Sequence, residues 1–111
     1  LVRPTMYGSY HKILNASRIS ATEKNVVVVG NICESGDILS RSGDEISRTM
    51  SSPAIGERLA FLDTGAYGFS MSSQYNFRPR PAEVLVHQGQ SRLIRRAETF
   101  EDLTQCFVDF N

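Results

Sequence analysis

The strongest apolar signal in the chain is a run of four valines, Val26 to Val29, followed by Gly30 and Ile32. A β-branched run punctuated by glycine predicts a strand over Asn25–Ile32. Its lack of alternation predicts burial on both faces. Arg58–Asp63 (RLAFLD) predicts a second, shorter strand, with a sharp turn at Thr64-Gly65-Ala66-Tyr67-Gly68. Ala82–His87 and Ser91–Arg96 are β-prone runs separated by Gln88-Gly89-Gln90, the pattern of a hairpin.

Elsewhere the pattern is weaker. Tyr7, Tyr10, Ile13 and Leu14 follow Pro4 and predict an irregular turn running into a strand within residues 4–17. Residues 33–56 are broken by Ser35-Gly36-Asp37, Ser42-Gly43-Asp44 and Ser51-Ser52-Pro53 and are expected to be irregular. A loop of that length in a compact domain is usually functional or disordered. Phe69–Tyr75 predicts a single helical turn, and the prolines of Asn76–Pro81 predict an extended segment. Thr99, with Glu101 and Asp102 behind it, marks a short acidic helix expected to be solvated. Together these elements predict a mostly β chain. The expected architecture is a single domain over residues 1–111, an antiparallel β-barrel or sandwich with short helical turns.

Composition narrows the function classes. Twelve Lys+Arg balance twelve Asp+Glu, for a formal net charge of zero. A nucleic-acid binder or a polybasic membrane module needs a positive surplus. Arg78, Arg80, Arg92, Arg95 and Arg96 form a local basic cluster, expected to be surface arginines balanced by Glu83 and Glu98. The longest apolar run is far shorter than the ~20 residues of a membrane span. Two cysteines and no apolar leader point to free thiols in a reducing, cytoplasmic setting. Zinc is not expected, since no C-x-x-C occurs and His11 and His87 lie far from each other and from both cysteines. Both histidines read as structural.

Three places carry candidate chemistry. Cys33-Glu34-Ser35-Gly36-Asp37 packs a thiol, two carboxylates and a hydroxyl into one loop at a strand end. It reads either as a proton-donating thiol beside a cation-binding carboxylate, or as an ordinary turn with a half-buried cysteine. Residue types alone favour the turn. Gly65-Ala66-Tyr67-Gly68 offers a phenol on a tight turn, able to donate to a phosphate or to pack on the core. Arg3 and Tyr7, four apart, offer a fork and a phenol for a carboxylate, or a solvated arginine at a ragged terminus.

The motifs say more in sequence than singly. Arg3-Pro4-x-x-Tyr7-Gly8-x-Tyr10-His11, Cys33-Glu34-Ser35-Gly36-Asp37, Gly65-Ala66-Tyr67-Gly68 with Phe69-Ser70-Met71-Ser72-Ser73-x-Tyr75-Asn76, Arg78-Pro79-Arg80-Pro81-Ala82-Glu83-Val84 and Arg95-Arg96-x-Glu98-Thr99-Phe100-Glu101-Asp102 occur in this order. The chain strongly resembles the C-terminal part of the diaminopimelate decarboxylases, pyridoxal 5'-phosphate (PLP) enzymes of lysine biosynthesis. The resemblance covers nearly the whole chain and is weakest over residues 15–25 and 40–58. It implies the alanine racemase-like fold type III, with an N-terminal (β/α)8 barrel and a C-terminal β domain. The chain, which starts without Met, is then expected to be that C-terminal domain alone. The barrel would precede Leu1 and carry the Schiff-base lysine, because neither Lys12 nor Lys24 sits in the family's lysine motif.

The resemblance also implies residue roles. Arg3 and Tyr7 match residues that bind a substrate carboxylate. Tyr67 matches a tyrosine at the PLP phosphate that also borders the substrate. Cys33 matches the thiol that protonates the carbon left by CO2, and Glu34 the acid that recognises the distal amino end of meso-diaminopimelate. Cys33 and Glu34 are expected to cross a homodimer interface into the partner's site, with Ser35 assisting. Glu34, where ornithine decarboxylases carry Asp, favours diaminopimelate over an ornithine- or arginine-type substrate. Thr64 and Asn31 depart from the family's usual Ala and Pro without removing a contacting group. A non-catalytic, stand-alone interaction domain is the alternative from another class. The isolated chain is expected to be inactive.

Overall fold

The computed structural model describes residues 1–18 and 22–109. The chain divides into two compact units, Leu1–Ser72 and Ser73–Asn111. It is a mostly sheet structure with few helices. Its strands form three separate two-stranded antiparallel ribbons, and no closed barrel is found among the described residues.

The first unit opens with helix α1, Arg3–Tyr7, where an irregular turn was expected. Pro4 suits the first turn because its missing N–H would be unpaired there anyway. Gly8 ends the helix in the left-handed region (φ 61°), and its N–H donates to the Pro4 carbonyl at 3.0 Å. Strand β1, Ile13–Asn15, pairs with β4, Leu59–Phe61. Strand β2, Glu23–Val26, pairs with β3, Arg48–Ser51. Burial alternates from His11 to Asn15, as a strand with one covered face requires.

The core is small and largely polar. Pro4, Ile13 and Met50 are its buried apolar side chains, beside buried His11, Asn15 and Ser40. Buried polar groups are costly unless hydrogen-bonded, and here their bonds organise the long loop. The Ser40 hydroxyl accepts the Val28 N–H at 2.9 Å and donates to the Ile46 carbonyl. Arg48 donates to the carbonyls of Ser40 (2.8 Å), His11 (3.1 Å) and Arg41 (3.2 Å). Its guanidinium carbon also lies 4.0 Å from the Tyr10 ring centroid, a cation–π contact. Asn15 donates to Glu57 at 2.7 Å, and Glu57 also takes the Ala54 N–H and pairs with Arg18. His11 is buried, with its Nδ1 3.1 Å from the Leu62 carbonyl and its Nε2 without a hydrogen-bond partner among the described residues.

Two expectations are corrected in this unit. The valine run is not a strand buried on both faces, since β2 ends at Val26 and Val27 and Val29 are exposed. Past Val26 the run leaves the β2–β3 ribbon, and its side chains alternate between half-buried and exposed. Residues 33–56 are also not irregular throughout, because they contain β3. That strand is stabilised by its partner and by Arg48 rather than by β-propensity.

The second unit holds the predicted hairpin. Strands β5, Glu83–His87, and β6, Gln90–Arg95, meet at His87 and Gln90. Gln88 (φ 49°) and Gly89 (φ 73°) between them are both left-handed, as a type I′ turn requires. The segment expected to be extended from Asn76 instead begins with a turn, since Asn76 (φ 55°) and Phe77 (φ 57°) are left-handed. Helix α2, Phe100–Thr104, follows Thr99, and the Asp102 carboxylate accepts the Thr99 backbone N–H at 2.8 Å. Phe77 meets Phe100 edge-on at 5.4 Å and stacks with Phe107 at 6.3 Å. The arginine cluster is balanced as expected, Arg80 by Glu98 and Arg95 by Glu83. Arg96 adds a pair with Asp102, so acids of the terminal segment are ion-paired rather than merely solvated.

Two predictions follow from these contacts. Arg48→Lys keeps the charge but loses the fork, so the first unit should lose about 2–3 kcal/mol in urea unfolding. Arg92→Lys, on exposed β6, serves as the control. Hydrogen bonds from the Arg80 side chain and backbone pull the Glu98 carboxyl down from 4.5 to about 2. A depressed acid stabilises the folded form above its unfolded value, and that contribution disappears as pH falls through about 2. A carboxyl NMR titration should show this midpoint, and Arg80→Met should move it back toward 4.5.

Candidate functional site

The Cys33–Asp37 loop is a narrow arm rather than a loose turn. Val29 bridges to Ile38, and the Gly30 N–H donates to the Asp37 carbonyl at 2.9 Å. The Asp37 carboxylate lies against Gly30, where a Cβ would meet it at 1.8 Å. It also accepts the Ile32 N–H at 3.3 Å. Only glycine leaves that space open, so the base of the arm is closed by an acid folded onto bare backbone.

Cys33 and Glu34 stand exposed beyond this base. The thiol is therefore not the half-buried cysteine of the turn reading. Neither Cys33 nor Cys106 is in a disulfide. The Glu34 carboxylate is folded back over the arm, where one oxygen accepts the Gly36 N–H at 3.0 Å and the Ser35 hydroxyl at 3.4 Å. The Asp37 N–H donates to the Glu34 carbonyl at 3.0 Å.

Arg3 and Tyr7 lie four apart on α1, which places them on one helical face. Tyr67 stands on the turn after β4 in a left-handed conformation (φ 61°) that a bulky residue seldom adopts. The turn depends on Gly68, where a Cβ would lie 1.9 Å from the Thr64 carbonyl oxygen. The Arg3 guanidinium carbon lies 5.5 Å from the Tyr67 ring centroid.

The structure thus joins Arg3 directly to Tyr67. It joins α1 to the arm through Thr5, whose hydroxyl donates to the Gly36 carbonyl. Tyr7 and Tyr67 remain largely exposed. One unit therefore presents a guanidinium, two phenols, a carboxylate and a thiol to solvent, with Arg3 and Glu34 on linked elements. A cofactor phosphate would find a donor in the Tyr67 hydroxyl. Among the described residues no cluster of His, Cys, Asp and Glu suits a metal ion. None of their helices is long and apolar enough to cross a membrane.

Sequence reasoning missed Thr5 and Arg48. Thr5 reaches a residue 31 positions away, and no local signal marks such a contact. Gly36 had been read only as a turn residue, yet it also admits Thr5, whose methyl would lie 2.8 Å from a Cβ there.

Gly68→Ala should open the Tyr67 turn. Crystallography or ring NMR shifts should show Tyr67 moved off Arg3, with a stability loss of about 1–3 kcal/mol.

Comparison with known proteins gives a consistent result. Residues 1–65 match the family model described as pyridoxal-dependent decarboxylase, C-terminal sheet domain. The chain is 51% identical over 104 residues to the diaminopimelate decarboxylase of Methanothermobacter thermautotrophicus, covering 93% of this chain and 23% of that protein. It is 46% identical over 110 residues to that of Escherichia coli K12, covering 93% and 26%. A crystal structure of AQ1208 from Aquifex aeolicus matches with a TM-score of 0.85 at 42% identity, over 95% of this chain and 25% of that one. Diaminopimelate decarboxylase from Helicobacter pylori, complexed with L-lysine, matches with a TM-score of 0.81 at 33% identity, over 94% and 24%. The chain spans about a quarter of the length of the curated relatives it matches.

Proposed function

The chain belongs to the pyridoxal-dependent decarboxylase family, whose C-terminal sheet domain it carries, and on that premise we propose that it serves a longer enzyme converting meso-diaminopimelate to L-lysine and CO2. The observation that carries this reading is the exposed Cys33–Glu34 pair, on an arm tied to the helix that bears Arg3 and Tyr7. The curated relatives named diaminopimelate decarboxylase support the substrate. So does Glu34, one methylene longer than the Asp expected for an ornithine-type enzyme.

In this reading residues 1–111 form one C-terminal β domain, and the missing barrel supplies the lysine that anchors PLP. The rest of the enzyme completes the ribbons into a barrel or sandwich. Exposed Val27, Val29, Leu85, Val86 and Leu93 support this, since large apolar surfaces of this kind are normally covered. The enzyme is a cytoplasmic homodimer, and the exposed tip of the arm suits delivery of Cys33 and Glu34 to the partner's site.

The exposed Tyr67 phenol fits a contact to the cofactor phosphate. When bound, PLP supplies the electron sink that lets CO2 leave. Arg3 and Tyr7 hold the substrate carboxylate. Glu34 pairs with the distal ammonium and so sets the substrate's register. The Cys33 Sγ then delivers a proton to the carbon that has lost CO2.

Mixing the isolated chain with PLP, reducing with borohydride and reading the intact mass should give no stoichiometric adduct. An adduct on Lys12 or Lys24 would overturn the division of labour with the barrel. In the full-length enzyme, Cys33→Ala should lower kcat by about 10²–10⁴-fold. Glu34→Asp should shift preference away from diaminopimelate, and an unchanged preference would remove the basis for that substrate.

A further inference from the structure

Gly36 is held through both of the peptide groups that flank its Cα. Its N–H donates to the Glu34 carboxylate at 3.0 Å. Its carbonyl accepts the Ile38 N–H at 2.7 Å and the Thr5 hydroxyl. The Ile38 bond lies within the arm. The Thr5 bond comes from α1, between Arg3 and Tyr7. The Thr5 methyl also fills the space beside the Gly36 Cα, where a Cβ would approach it to 2.8 Å. A continuous path therefore runs from α1 through Thr5 and residue Gly36, across its Cα, to the carboxylate of Glu34.

We infer that Thr5 is a positioning residue that sets the direction of the Glu34 carboxylate, and with it recognition of the substrate's distal amino group. The inference rests on the function proposed above for Glu34. Thr5 touches no reacting atom; its hydroxyl fixes the carbonyl of Gly36, and so restrains the residue whose own N–H, one peptide earlier, holds the carboxylate. Under the shared-site reading, Arg3 and Tyr7 serve one site while the arm serves the other. The Thr5 bond then links the two active sites of the dimer within a single protomer.

The test uses the full-length enzyme and four variants. Thr5→Val removes the hydroxyl and keeps the shape. Thr5→Ser keeps the hydroxyl and removes the methyl. Gly36→Ala adds the clashing Cβ, and Gly36→Ala with Thr5→Ser relieves it. Amide hydrogen exchange over residues 31–38 reads the arm directly. Exchange there should quicken about fivefold in Thr5→Val, as expected for one lost hydrogen bond, and stay near wild type in Thr5→Ser. The Michaelis constant for diaminopimelate should rise about tenfold in Thr5→Val with kcat changed less than about threefold, because distal binding is shared by ground and transition states. Gly36→Ala should behave like Thr5→Val and be rescued by Thr5→Ser. Unchanged exchange and KM in Thr5→Val would overturn the inference, as would an equal effect of Thr5→Ser or a fall in kcat with KM unmoved. If the wild-type enzyme fails to decarboxylate diaminopimelate, the proposed function fails. The Thr5 contact is then still decided by the exchange measurements alone.

Discussion

One guanidinium closes the first unit. Arg48 donates to the carbonyls of His11, Ser40 and Arg41, so a single side chain joins the approach to β1, the end of the long loop and β3. Backbone carbonyls in a small core need partners, and among the described residues the buried apolar side chains are few, Pro4, Ile13 and Met50. A larger core would let hydrophobic burial carry that load. This one relies on a charged fork that meets several acceptors at fixed angles. Ser40 extends the same clasp to Val28, at the root of the arm. The placement of Cys33 and Glu34 thus begins at Arg48, well away from either residue in sequence.

The site is assembled by short-range devices on that foundation. Helix α1 is only one turn and a half, too short to hold itself together, and it is fixed by proline and glycine at its ends. The arm is closed by Asp37 against Gly30, and the tyrosine turn by Gly68 against Thr64. The candidate groups are therefore mounted on a short capped helix and on tight turns. Tight turns set direction well while leaving the side chains in solvent, ready for a ligand or another protein surface.

The hairpin was legible because Gln88-Gly89-Gln90 separates two β-prone runs, and the structure tightens that link to the two residues Gln88 and Gly89. The short terminal helix was legible because Thr99 and Asp102 form a local cap. The five candidate site residues stood out only through the order of motifs, since residue types alone favoured the turn and packing readings. Helix α1 left a trace in the spacing of Pro4 and Gly8 that was outweighed by its brevity. Strand β3 left none, because Arg48-Thr49-Met50-Ser51 has little strand character and owes its form to β2. The valine run misled for a different reason. β-branched residues favour extended backbone, but the ladder with β3 stops at Val26, and the side chains beyond it alternate between half-buried and exposed. Arg48 and Thr5 act across sequence separations that no local pattern records.

The closure between Gly30 and Asp37 has a consequence for how this sequence can change over time. A carboxylate occupies the volume that any other side chain at position 30 would need. Position 30 is therefore not free to drift alone. A larger residue at 30 is admissible only after position 37 has shrunk, and that step first unties the Ile32 N–H. The two residues thus form a linked pair of heritable characters, joined by a shared volume rather than by shared chemistry.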